Sequence, residues 1–85
     1  MTQENSKIKF YGTTWCGDCR RSFFYLKRKN IPFDNINIDD DGEGENIVKS
    51  LNNGNRSVPT IVFPDGSFLV EPSNQQIAEK LNIPL

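Results

Sequence analysis

The chain has 85 residues, of which 35% are hydrophobic and 25% are charged, and its formal net charge is −1. That length accommodates one hydrophobic core, so we expect a single domain over residues 1–85. The charge excludes the basic surface of a nucleic-acid-binding protein, and no apolar run reaches the ~18 residues of a membrane span. Two cysteines without any histidine cannot provide the four ligands of a structural zinc site, so we expect no bound metal.

The first half of the chain predicts a strand, a helix and a second strand. Residues 7–11 alternate polar and apolar side chains, which indicates a short strand. From residue 17 to about residue 29 the apolar positions recur at helical spacing, and Pro32 follows the end of that helix. Residues 33–38 alternate again and predict the second strand.

The second half predicts a helix, a hairpin and a last helix. The acidic run at residues 39–45 is expected to form a solvated loop whose glutamates favour the start of the next helix. That helix is short and carries an apolar stripe at residues 47–51. The sequence predicts two strands around a tight turn, at residues 59–63 and 67–70. Residues 73–76, Ser-Asn-Gln-Gln, match the capping box that opens a helix.

The predicted element order is therefore βαβαββα. A strand–helix–strand unit pairs its strands in parallel, whereas a short hairpin pairs them antiparallel. We therefore expect an α/β fold in which a four-stranded mixed sheet is covered by three helices.

Trp15-Cys16-Gly17-Asp18-Cys19 lies where the first strand gives way to the first helix. Unsatisfied N–H groups and the helix dipole favour a thiolate at the first cysteine, and the second follows one turn later. The second thiol can then attack a disulfide formed by the first. A zinc site lacks ligands, and a permanent disulfide would close too small a loop to add much stability. The motif predicts dithiol–disulfide exchange, with Cys16 as the nucleophile and Cys19 as the resolving thiol.

Two segments resemble the glutaredoxin family of the thioredoxin superfamily. They are residues 11–19, Tyr-Gly-Thr-Thr-Trp-Cys-Gly-Asp-Cys, and residues 54–60, Gly-Asn-Arg-Ser-Val-Pro-Thr. Within the family they are most similar to mycoredoxins and to the short glutaredoxin-like donors of ribonucleotide reductase. The resemblance extends over nearly the whole chain and implies the thioredoxin fold.

The resemblance also implies a thiol-binding groove beside the cysteine pair. Arg56, Val58 and Pro59 match positions that line this groove, and the peptide bond before Pro59 is expected to be cis. That geometry lets the Val58 backbone pair with a substrate strand. Trp15 precedes the nucleophile and is a candidate platform for a partner. Ser73, as a helix cap, leaves N–H groups free to hold an anionic group.

Two segments depart from the family pattern. Gly17-Asp18 stands between the cysteines, where typical glutaredoxins carry Pro-Tyr. The glycine pair that helps to hold glutathione is replaced within residues 68–73, Phe-Leu-Val-Glu-Pro-Ser. Side chains there narrow the close approach that glycine permits, and the Glu71 carboxylate would repel another carboxylate. We therefore expect glutathione to be a poor reductant.

The sequence thus predicts an enzyme, a dithiol oxidoreductase that reduces protein disulfides or mixed disulfides with low-molecular-weight thiols. The alternative is a dedicated electron donor to ribonucleotide reductase, recharged by thioredoxin reductase. A homodimer that shares an iron–sulfur cluster through Cys16 is less favoured, because Cys19 competes by forming a disulfide. We expect a monomer without a bound cofactor, and either a small thiol or thioredoxin reductase as the reductant.

Cysteine usage also bears on the compartment. Two cysteines without a disulfide framework are typical of a protein kept in a reducing environment, so we expect a cytoplasmic location. Residues 1–6 contain neither a basic leader nor an apolar segment, so we expect no secretory signal there.

Overall fold

The computed structural model describes residues 7–85, and its elements follow the predicted order. The prediction made for residues 1–6 lies outside this range. Within it, strands and helices succeed one another as βαβαββα, which confirms the α/β fold. The strands are β1 (Ile8–Gly12), β2 (Phe33–Asn37), β3 (Thr60–Val62) and β4 (Phe68–Val70), and the helices are α1 (Gly17–Arg28), α2 (Gly42–Leu51) and α3 (Asn74–Leu81).

The sheet is mixed and has the strand order β2-β1-β3-β4. β1 and β2 are parallel, so the loops that leave them reach the same edge of the sheet. β3 runs antiparallel to both β1 and β4 and closes the predicted hairpin. At the centre of the sheet Phe10 pairs with Asn35 on one side and with Ile61 on the other. The loops before α1, before α2 and before β3 therefore meet at one edge.

Helices pack against both faces of the sheet. On one face Phe10 and Ile61 contact residues of α1 and α3, among them Leu26 and Ile77, which are fully buried. On the other face Tyr11 packs against Val48 of α2. Because successive strand residues point to opposite faces, the neighbours Phe10 and Tyr11 serve different cores. No helix among residues 7–85 is long and apolar enough to cross a membrane.

The main departure from the predicted boundaries lies at α2. The apolar stripe predicted a helix around residues 47–51, but the helix already begins at Gly42. Asp41 adopts an extended backbone and its side chain accepts the Gly44 N–H, 2.9 Å away. This cap satisfies a backbone donor that the helix start leaves free, and Glu43 and Glu45 lie in the first turn as expected. The acidic run is therefore half loop and half helix.

Candidate active site

Cys16 is the N-cap residue of α1. Its backbone is extended (φ −96°, ψ 123°), and its sulfur accepts the backbone N–H of Cys19 at 3.3 Å. The thiol is half-buried and also lies 3.9 Å from the carbonyl oxygen of Val58. A cap of this kind aims an N–H group at the sulfur, which is the arrangement that a helix start offers to an anion.

Cys19 occupies the third position of the same helix and has a different environment. Its exposed fraction is 2%, and it belongs to the core shared by the sheet, α1 and α3. Burial raises the pKa of its thiol to about 12, so the neutral form is strongly favoured. Gly12 of β1 approaches so closely that a Cβ built there would lie 3.0 Å from the Cys19 sulfur. The two thiols are both free in the described structure.

The loop before β3 faces Cys16. The Val58-Pro59 peptide bond is cis, as the resemblance implies, and the Pro59 side chain is fully buried. The Pro59 carbonyl accepts the Glu71 N–H at 2.8 Å, which joins this loop to the end of β4. Three of the predicted residues, namely Trp15, Val58 and Pro59, thus lie around or next to Cys16.

Arg56 and Trp15 are joined by the carboxylate of Asp39, and Arg56 is also bonded to Glu45; the sequence identified neither acidic residue. The Trp15 indole N–H donates to Asp39 at 2.9 Å, and the Arg56 guanidinium donates to the other Asp39 oxygen at 2.7 Å. Arg56 also donates through Nε to Glu45 at 2.6 Å. We call these four residues, Trp15, Asp39, Glu45 and Arg56, the Arg56 cluster. The hydrogen bonds donated by Arg56 and Trp15 lower the pKa of Asp39, and the bonds that Arg56 donates to Asp39 and Glu45 raise the pKa of Arg56.

The segment that replaces the glycine pair keeps a backbone shape that glycine favours. Glu71 has a positive φ of 51° although it carries a side chain. Ser73 caps α3 with a complete capping box, and its side chain and backbone are both bonded to Gln76. Arg21, which residue preference alone would place in solvent, donates to the Pro72 carbonyl at 3.0 Å. Its guanidinium also lies 3.6 Å from Asp18, the residue between the cysteines.

A cavity of about 300 Å³ opens beside Cys19. Its walls include the rings of Phe10, Phe23 and Phe24, and the Cys19 side chain also lines it. Cys16 is not among its lining residues, so this cavity is distinct from the surface on which the half-buried thiol lies.

The chain is similar to known proteins in both sequence and fold. The glutaredoxin family profile matches residues 8–69. Mycoredoxin 1 of Corynebacterium glutamicum is 36% identical over 76 residues, which cover 89% of this chain and 94% of that protein. A relative from Mycobacterium tuberculosis, which is named a glutaredoxin, is 39% identical over 74 residues. These residues cover 87% of this chain and 88% of that protein. The chain belongs to the glutaredoxin family.

Solved structures agree with this assignment. A glutaredoxin from Archaeoglobus fulgidus superposes with a TM-score of 0.72 at 25% identity, covering 89% of this chain and 86% of that one. A mutant of a thioredoxin-like protein gives a TM-score of 0.81 at 24% identity over 92% of this chain and 97% of its own, which shows the shared fold. As a member of the glutaredoxin family, the chain is a thiol–disulfide oxidoreductase.

Proposed function

We propose that the chain reduces protein disulfides, and mixed disulfides between proteins and small thiols, through Cys16 and Cys19. The observation that carries this proposal is the contrast between the two thiols. Cys16 is half-buried at a helix start with an N–H directed at its sulfur, whereas Cys19 is buried one turn away. An accessible nucleophile beside a shielded second thiol is what a two-step exchange requires.

In the first step the Cys16 thiolate attacks one sulfur of the target disulfide, and the other target sulfur leaves as a thiolate that takes up a proton. In the second step Cys19 gives up its proton and its sulfur attacks the Cys16 sulfur. The bond from Cys16 to the first target sulfur breaks, and that sulfur leaves as a thiolate that takes up a proton. Two electrons have then passed to the target, and a Cys16–Cys19 disulfide remains. Burial of Cys19 keeps it protonated until the mixed disulfide has formed, so the order of the steps follows from the environments.

The substrate surface in this proposal is formed by Trp15, Val58 and Pro59. The Val58 backbone lies 3.9 Å from the Cys16 sulfur, so an extended substrate segment paired with it would bring its disulfide to the thiol. Trp15 has an exposed fraction of 67% and offers a large aromatic face to a docked partner. Ser73 stays a candidate for binding an anionic group, because α3 begins there with its side chain exposed.

The reductant that restores the dithiol is proposed to be a small thiol other than glutathione, or thioredoxin reductase. Glu71 has the left-handed backbone that suits glycine, but its side chain and charge occupy the space that a glycine would leave open. A glutathione carboxylate placed there would meet the Glu71 carboxylate. Because the dithiol must be restored in every cycle, the cytoplasm, a reducing compartment, is the proposed location.

The test uses the oxidised wild-type chain. It is mixed separately with glutathione plus glutathione reductase, with another small thiol plus its reductase, and with thioredoxin reductase, and consumption of NADPH is followed. We expect slow turnover with glutathione and faster turnover with one of the other two. The fastest turnover with glutathione would refute the proposed reductant. Failure of the reduced chain to reduce a disulfide-bonded protein would refute the proposed reaction.

A further inference from the structure

The guanidinium of Arg56 is occupied on two sides by acidic groups. Its Nη2 lies 2.7 Å from Asp39 and its Nε lies 2.6 Å from Glu45. Asp39 follows β2, Glu45 lies in the first turn of α2, and Arg56 lies in the loop before β3. The three side chains keep exposed fractions of 37%, 29% and 37% for Asp39, Glu45 and Arg56, so they lie at the surface. Arg56 therefore reaches solvent with its charge already compensated.

The Arg56 cluster touches the Cys16 site at two points. Trp15 immediately precedes Cys16, and its indole is held by the second oxygen of Asp39. Arg56 precedes Val58 by two residues, and the Val58 carbonyl faces the Cys16 sulfur. One carboxylate, that of Asp39, thus fixes a residue on each side of the nucleophile.

A positively charged arginine beside a thiol groove would attract a substrate that carries a carboxylate close to its sulfur. Here that attraction is reduced, because two carboxylates already hold the guanidinium through charge-assisted hydrogen bonds. An incoming carboxylate must either displace one of them or approach while both remain, and both routes are unfavourable. A substrate without a carboxylate meets no such obstacle.

We propose that Asp39 and Glu45 are specificity-determining residues. They make the Cys16 site react more slowly with disulfides that carry a carboxylate near the sulfur. Asp39 is in addition the positioning residue for Trp15. This inference rests on the proposed exchange reaction at Cys16 and adds the class of substrate that the site selects. The selectivity arises because Arg56 is already bonded to two carboxylates, so these carboxylates have this effect only when Arg56 is present.

The test compares two small disulfides of similar shape. Hydroxyethyl disulfide is neutral, and dithiodipropionate carries a carboxylate on each arm. The full chain is reduced, freed of reductant and mixed with each disulfide in excess. The second-order rate constant is measured from the loss of protein thiols in samples that are acid-quenched at successive times and freed of small molecules, because the reaction leaves the total number of free thiols unchanged. The selectivity is the rate constant for dithiodipropionate divided by that for hydroxyethyl disulfide. No reductase is needed, so the identity of the physiological reductant does not affect the result.

Glu45→Gln removes one partner of Arg56 and leaves the Trp15–Asp39 bond in place. We expect the selectivity to rise about threefold, the size of effect typical of one exposed ion pair. Asp39→Asn should raise it by a similar factor. The matched control is Glu43→Gln, which removes one charge from the same helical turn. Among residues 7–85 the ion pairs and hydrogen bonds of Arg56 are formed with Asp39 and Glu45 and not with Glu43. Adding Arg56→Gln to Glu45→Gln should cancel the gain, since these residues act as a pair.

The outcomes separate the two proposals. An equal rise in Glu43→Gln and Glu45→Gln would indicate a general charge effect and would overturn the inference. A gain that persists without Arg56 would also overturn it. If the wild-type chain reacts with neither disulfide, the proposed exchange reaction fails, and the inference fails with it. If the wild-type chain reacts with both and Glu45→Gln leaves the selectivity unchanged, only the inference fails.

The positioning role of Asp39 has its own readout. Trp15 is the only tryptophan in the sequence, so the fluorescence of the protein reports on this side chain. Asp39→Ala removes the acceptor of the indole N–H, and we expect lower fluorescence anisotropy and a shifted emission maximum. Asp39→Asn retains an acceptor oxygen and should restore the wild-type spectrum. Identical spectra for Asp39→Ala and the wild-type chain would overturn this role.

Discussion

The first and last helices begin with the same backbone problem and solve it with different atoms. At α3, Ser73 accepts the N–H of Gln76, and the Gln76 side chain accepts the Ser73 N–H in return. At α1 the equivalent acceptor is the Cys16 sulfur, which receives the N–H of Cys19. Oxygen makes a strong, reciprocal cap at α3, whereas sulfur leaves α1 with a single, longer bond.

The surroundings of the two helix starts differ as well. The third residue of α3, Gln76, is exposed, whereas the third residue of α1, Cys19, is buried against Gly12. The Cys19 N–H, which donates to the Cys16 sulfur, is therefore held in place by the packing of the Cys19 side chain in the core. The free N–H groups of a helix start therefore have different effects in the two helices. They stabilise the fold at α3, and they hold a reactive sulfur at α1.

The largest effect is expected from Cys16→Ser. Serine removes the nucleophile, so disulfide reduction should fall by about 10³-fold or more. Serine is also a preferred cap, so the free energy of unfolding of the reduced protein should stay within about 1 kcal/mol of wild type or rise. Activity is measured with a protein disulfide and stability by chemical denaturation. Cys16→Ala is the control, because it removes both the thiol and the cap and should be less stable than Cys16→Ser by about 1 kcal/mol.

Cys19→Ser sharpens the distinction between the two thiols. The Cys16 thiol can still form a mixed disulfide with a small thiol, but no second thiol remains to resolve a mixed disulfide with a protein. We expect activity on small mixed disulfides to persist and activity on protein disulfides to be largely lost. In the wild-type chain burial raises the pKa of the Cys19 thiol and shields it from solvent, so iodoacetamide should label Cys16 first. Equal labelling would contradict the assigned roles.

Local patterns were sufficient to predict most of the fold. Alternation identified β1 and β2, and the capping box at Ser73 marked the start of α3. The start of α2 was missed because Gly42 and Gly44 are poor helix formers, and their helical start is supported by the bond that the Gly44 N–H donates to the Asp41 side chain. Such a bond depends on the conformation of the loop, which the sequence pattern does not specify.

The candidate site shows the same limit at three consecutive aspartates. Asp39 binds Trp15 and Arg56, Asp40 accepts from Asn37, and Asp41 caps α2. Nothing in a run of identical residues distinguishes these roles. The role of Asp39 follows from contacts with residues distant in the chain, and those of Asp40 and Asp41 follow from the local conformation of the loop. The cysteine pair was predictable because its chemistry depends on local spacing. The cis peptide bond was expected only from the family resemblance.

The next effect concerns the packing behind the start of α1. Gly12→Ala would place a methyl group 3.0 Å from both the Cys19 sulfur and the Phe10 ring. Because the core has no room for it, we expect the free energy of unfolding of the reduced protein to fall by about 1–3 kcal/mol. Gly17→Ala is the matched control, since a methyl group there meets nothing within 4 Å. That variant should gain up to about 1 kcal/mol from helix propensity. If Gly12→Ala and Gly17→Ala changed the free energy of unfolding equally, the contact between Gly12 and the Cys19 sulfur would have to be looser than the structure shows.

A smaller effect is expected at the start of α3. Ser73→Ala removes the acceptor of the Gln76 N–H and should lower the free energy of unfolding by about 1 kcal/mol, as measured by chemical denaturation. Ser73→Thr retains the hydroxyl and should recover most of the loss. If Ser73→Ala is as stable as the wild-type chain, the oxygen cap contributes no more than the sulfur cap, and the comparison between the two helices breaks down.

The smallest effect is spectroscopic and concerns Trp15, the residue before the N-cap of α1. The hydrogen bonds from Arg56 and Trp15 lower the pKa of Asp39 in the folded protein, so its contribution to stability is complete above about pH 4. That contribution is lost as the pH falls through the lowered pKa. The Trp15 emission should therefore stay constant from pH 7 to about pH 4 and change only below that range. Asp39→Asn should lack this transition, and circular dichroism separates it from acid unfolding. A transition centred above about pH 4 would show that the carboxylate is not held as the structure indicates.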